Sequence, residues 1–239
     1  MANFDLDAEN TPPLVDYSTN PNQRTPCVLV LDASYSMTAK TSSGKTAIEA
    51  LNEGIKALEY ALKNDEAALT RVQLSIVIVG GPTDDAEILM DWTDVSNFTA
   101  FPLTAGGRTP LGKGIQLGLD LIEEGKQNLR AQGISYTRPW LLIMSDGAPT
   151  DEVSLWNAAS NECLQAEAEK KVEVFCIGVE GADLTKFRGL SHKPPLMLDG
   201  VKFEELFQWL SQSLSAASQS RPGDTLQLPP TDVWRNVGI

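Results

Sequence analysis

"LDASYSMTAKTSSGKTAIEALNEGI", residues 31–55, decides the fold and divides two readings of the function. It joins the end of an apolar run, "CVLVLD" (27–32), to a helix that starts near Thr46. A continuous apolar run marks a strand covered on both faces. In the helix, Ile48, Leu51, Ile55, Leu58 and Leu62 recur at the three- and four-residue steps that lay them on one face. Between strand and helix, "AKTSSGKT" satisfies the phosphate-loop pattern if Ala39 takes its first position. "DASYS" instead offers a cation the oxygens of an Asp-x-Ser-x-Ser triplet.

The same alternation continues outward. "VQLSIVIVGG" (72–81) and "EILMDW" (87–92) read as strands two and three. Only the turn "GGPTDDA" separates them, so they are expected to pair antiparallel. The long loop "TDVSNFTAFPLTAGGRT" leads to a helix from Pro110, striped by Leu111, Ile115, Leu119 and Ile122. "RPWLLIMSD" (138–146) is the fourth strand, followed by a helix over 152–171. "VEVFCIGVE" is the fifth strand, and "PLMLD" the sixth, after a short helical piece near Asp183. A last helix over 201–216 carries Phe203, Leu206, Phe207, Leu210 and Leu214 on one face. The expected fold is α/β: an open, doubly wound, mostly parallel sheet of about six strands with helices on both faces and one short antiparallel edge strand.

Residues 1–25, polar and rich in Pro, Asn, Asp and Thr, read as an arm; residues 26–218 form the domain, and 219–239 a tail. Trp234, Val237 and Ile239 are apolar on that polar tail and are expected to dock, on this domain in preference to a partner. There is no internal repeat and no sign of a second domain.

The formal net charge of -13 repels phosphate backbones and anionic membranes, which sets aside nucleic acid and membrane surfaces as partners. Cys27, Cys163 and Cys176 lack metal-ligand spacing and read as small core residues. The one histidine, His192, sits in a loop, which removes nearly every His-based site. The N-terminus has no secretory pattern and no run spans a bilayer, so the expected location is the cytoplasm.

In an open parallel sheet the ligand crevice lies beyond the carboxyl ends of the strands, where the strand order reverses. With the order 3-2-1-4-5-6, that crevice lies between strand one, ending in Asp32, and strand four, ending in Asp146. Two close carboxylates repel unless one is protonated or a cation lies between them. Ser34 and Ser36 alternate with Asp32, so the three oxygens point one way in an extended segment, and Thr109 belongs to the long loop over the same edge. An all-oxygen set selects a hard cation, Mg²⁺ first, then Mn²⁺ or Ca²⁺. Taken singly, each residue is an ordinary turn former or cap, and Thr109 before Pro110 suits a helix N-cap. The set, not any member, carries the reading.

The phosphate-loop alternative meets two objections. "ASYSMT" separates Ala39 from the strand end, and "KTSS" lacks the glycines that let backbone approach phosphate. Thr46 and Glu49 also form a capping-box pattern, which accounts for "TAIE" without a nucleotide. There is no Gly-x-Ser-x-Gly elbow and no evident acid and base pair, so no enzyme activity is expected.

"VLVLDASYSM", "GGRTPLGKGI" and "LLIMSDGAPTD" together resemble the von Willebrand factor A domain with its metal-ion-dependent adhesion site (MIDAS), over residues 26–216. "RTPLGKGI", "SDGAPTD" and "LPPTDVW" are most similar to the bacterial TerY-like branch, associated with tellurium resistance and stress response. The resemblance implies that Ser34, Ser36 and Thr109 hold Mg²⁺ through hydroxyls and that Asp32 and Asp146 hold it directly or through water. It implies an open coordination position for a partner's Asp or Glu, and a scaffold role beside a protein kinase or phosphatase. Tyr35 departs from the pattern, which usually has Gly there.

Overall fold

The computed structural model describes residues 20–146, 149–179, 181–200, 202–221 and 224–235. Most of the arm, and Val237 and Ile239 of the tail, lie outside the described residues.

The run that opens the reading becomes β1 (Thr25–Ala33), buried along its whole length. Successive side chains point to opposite faces of a strand. Cys27, Leu29 and Leu31 therefore feed one core, and Val28 and Val30 the other. Five further strands complete one sheet: β2 (Val72–Gly80), β3 (Asp85–Asp94), β4 (Trp140–Ser145), β5 (Glu173–Gly178) and β6 (Leu196–Met197). Their order is β3-β2-β1-β4-β5-β6, the common order on which the placing of the crevice depends. All neighbours are parallel except β2 and β3, which pair antiparallel with two register irregularities.

Helices α1 (Ala47–Lys63), α2 (Glu66–Arg71) and α5 (Phe203–Ser218) contribute to the core on one face. Helices α3 (Leu111–Ala131) and α4 (Val153–Ala168) contribute to the core on the other. The expected apolar stripes are buried, Leu51, Ile55, Leu58 and Leu62 of α1 wholly so. Helix α2 is an addition to the sequence reading. It has only six residues and starts where the Asp65 carboxylate accepts from Ala68 N at 2.8 Å.

The described part of the tail packs back on the domain. Trp234 is fully buried, with its ring 5.3 Å from that of Trp209. Trp209 Nε1 donates to the Pro229 carbonyl at 2.9 Å, and Asp199 N donates to the Trp234 carbonyl at 2.8 Å. At the other end, Arg24 is buried, and Asn20 Nδ2 donates to the Thr70 carbonyl at 2.7 Å. The three cysteines are free and buried, and burial pushes their thiols up, which keeps them unreactive. Among the described residues, no helix is long and apolar enough to cross a membrane.

Candidate metal centre

Beyond the carboxyl ends of β1 and β4, Asp32, Ser34, Ser36 and Asp146 form one connected chain. The Asp32 carboxylate accepts from Ser34 N at 2.8 Å and from Ser145 Oγ on the neighbouring strand. The Ser34 and Ser36 hydroxyls lie 2.9 Å apart, and Ser36 Oγ donates to Asp146 Oδ1 at 2.6 Å. The backbone makes this chain by passing from the last residue of β1 into a 3₁₀ turn, Tyr35–Thr38. Met37, wholly buried, anchors that turn in the core.

Asp32 is fully buried and Asp146 partly so. Burial pushes the Asp32 carboxyl up to about 6, with the nearby Asp146 charge adding to it, despite the bonds from Ser145 and Ser34. Burial also raises Asp146, against the hydrogen bond from Ser36. Among the described residues no Lys or Arg pairs with either carboxylate.

Thr109 reaches the same edge from the loop before α3. Two residues upstream, the Gly107 carbonyl accepts from Tyr35 N at 3.0 Å. Gly80, with φ of +83°, lets this loop approach: a Cβ there would sit 2.5 Å from the Arg108 carbonyl oxygen and 2.8 Å from Ser34 Cα. Thr109 is buried, but it is not the helix cap that its place before Pro110 suggests; Pro110 occupies the cap position, with no side-chain bond. The first free N–H groups of α3 instead meet the Asp151 carboxylate, which accepts from Gly112 N at 2.8 Å and Lys113 N at 3.1 Å.

Asp151, Thr150 and Ser145 are the members of this edge that sequence reasoning missed. "SDGAPTD" contains all three, but their partners lie in β1, in the loop before α3 and in the first turn of α3, out of reach of local spacing. The rim carries exposed apolar groups: Tyr35 is 73% and Val153 74% exposed. Lys45 and Thr46 of the phosphate-loop pattern are occupied locally. Lys45 pairs with Glu53, and Thr46 and Glu49 close the expected capping box. His192 stands in its loop, ring toward the Leu164 carbonyl.

The model of the von Willebrand factor type A domain family matches residues 27–209. Comparison with curated proteins returns no match. Among solved structures, the open conformation of the pilus adhesin SpaC from Lactobacillus rhamnosus GG is similar, with a TM-score of 0.61 and 14% identity over 82% of this chain. So is the von Willebrand factor domain of the type V pilus tip protein Mfa5 from Porphyromonas gingivalis, with a TM-score of 0.60 and 10% identity over 85% of this chain and 99% of that one. A third is proximal thread matrix protein 1 of the mussel byssus, solved with zinc in its MIDAS motif, with a TM-score of 0.51 and 14% identity over 80% of this chain. The chain spans 31% of the adhesin structure and 47% of the byssus protein structure. At these identities the structures show a shared fold. With the family model matched over most of its length, the chain belongs to the von Willebrand factor type A domain family.

Proposed function

We propose that this chain is a non-enzymatic protein-binding module that holds one divalent cation at Asp32, Ser34, Ser36, Thr109 and Asp146. The observation that carries the reading is the hydrogen-bonded chain from Asp32 to Asp146, through the Ser34 amide and then the Ser34 and Ser36 hydroxyls, partly buried and without a basic partner among the described residues. Two acidic groups raised by burial at one sheet edge fit a cation, and hydroxyl and carboxylate donors fit a hard one, Mg²⁺ first. The zinc-occupied motif of the byssus protein supports a divalent ion at this place in the fold.

When bound, the cation supplies positive charge that an incoming carboxylate completes. The protein's own part is to keep that charge from being cancelled. Ser34, Ser36 and Thr109 are neutral, and burial of Asp32 excludes competing water. Tyr35, exposed and set between the two serines, is available to a partner as a contact residue.

The resemblance of "RTPLGKGI", "SDGAPTD" and "LPPTDVW" to the TerY-like branch supports a cytoplasmic scaffold in a bacterial stress response, with a protein kinase or phosphatase as partner. Calorimetric titration of Mg²⁺ into the wild type and Asp32→Ala tests the site. Saturable binding is expected only in the wild type; equal binding by both would remove Asp32 from the site.

A further inference from the structure

The loop following Asp146 is tied by two hydrogen bonds to the loop bearing Thr109 and by two more to the start of α3. Thr109 N donates to Thr150 Oγ1 at 3.1 Å, and Thr150 N returns a bond to the Thr109 carbonyl at 2.8 Å. One residue on, the Asp151 carboxylate accepts from Gly112 N and Lys113 N in the first turn of α3. The fit is close: a Cβ on Gly112 would lie 3.2–3.3 Å from all three carboxyl atoms of Asp151.

We infer that Thr150 and Asp151 are positioning residues for the cation site. The inference rests on the metal-binding reading above. Thr109 is the one proposed ligand outside both the β1 end and the residue after β4; its loop is tied to the β1 turn by the bond from Tyr35 N to the Gly107 carbonyl, and its direct tie to the Asp146 side is Thr150. Thr150 engages both backbone polar groups of Thr109. Asp151 fixes the angle at which the loop enters α3, and its charge complements the partial positive charge of the helix N-terminus. In chain order, Pro110 and Leu111 are the two residues between the anchor points. Thr150 is exposed and Asp151 only half-buried, so neither is needed to fill the core. Their hydrogen bonds orient ligands, and the loss of such support typically costs about 10–100-fold in metal affinity.

The test is Mn²⁺ titration by electron paramagnetic resonance on the wild type, Thr150→Val, Thr150→Ser, Asp151→Asn and Gly112→Ala, with a thermal melt of each. The expected result is about a tenfold or greater loss of Mn²⁺ affinity in Thr150→Val and Gly112→Ala, with near wild-type binding restored in Thr150→Ser. Asp151→Asn, which keeps one acceptor oxygen, should fall between. If the wild type binds Mn²⁺ and Thr150→Val and Gly112→Ala bind it equally well, whatever their melting temperatures, the two residues are structural only and the inference is wrong. Failure of the wild type itself to bind would overturn the metal-site reading and, with it, this one.

Discussion

Ser36 and Asp146, 110 residues apart in the chain, meet at 2.6 Å beyond the ends of two adjacent parallel strands. That contact turns a turn-forming serine and a turn-forming aspartate into one oxygen-lined site. It exists because β1 and β4 are neighbours in the sheet.

Replacing Asp32 by Ala should leave the fold standing. Its carboxyl is raised by burial, so at neutral pH in the metal-free protein its buried charge offsets the bonds it accepts from Ser34 N and Ser145 Oγ. The melting temperature without metal is expected to stay level or rise, while Mg²⁺ binding is lost. Thermal melts with and without Mg²⁺ check both halves; a steep metal-free loss would make Asp32 structural.

Tyr35→Gly should separate partner from cation. The ring is 73% exposed, so its removal is expected to change stability by about 0.5 kcal/mol or less and Mg²⁺ affinity little. Capture of a partner in Mg²⁺, compared with chelator, should weaken. Unchanged capture would leave the ring without a role in the contact.

Trp234→Ala should destabilise the domain by about 3–5 kcal/mol, because it empties a wholly buried site against Trp209. Deleting residues 226–239 should do at least as much. Melting temperatures within a degree of wild type would mean that the tail is not part of the core.

Glu167 supplies a pH dependence away from the metal centre. Burial pushes its carboxyl up, but the Lys193 ammonium and hydrogen bonds from His192 N and Ser191 outweigh this and leave it below its ordinary value. A carboxylate held low in the folded state stabilises above its unfolded pKa. That contribution is lost as pH falls through the folded value. Glu167→Gln should therefore cost stability at neutral pH, by about 1–3 kcal/mol, and the gap to wild type should close in acid. Denaturant melts from pH 7 to 3 read it; a gap that widens toward acid would reverse the sign.

The sheet order and the Asp32, Ser34, Ser36 and Asp146 chain were legible because they follow from apolar runs and from the rule that sites lie at the carboxyl edge. Helix α2 was not, since six residues are too few to show a period. In the sequence, Thr109 suits both a ligand and a cap. The structure gives the capping to Asp151, a residue 39 positions from the Gly112 amide it receives, which no local pattern reports. Trp234 was expected to dock, but the backbone pairing of its carbonyl with Asp199 N was not visible in composition. In each case the missing information is a contact between distant segments.

Asp32, Ser34, Ser36, Thr109 and Asp146 are proposed to hold one divalent cation. Crystals soaked in Mn²⁺ and measured for anomalous scattering test it most directly. A cation held there gives a single peak within coordination distance of the Ser34, Ser36 and Thr109 hydroxyls, between Asp32 and Asp146. A site without that peak, at Mn²⁺ concentrations that saturate binding in solution, would contradict it.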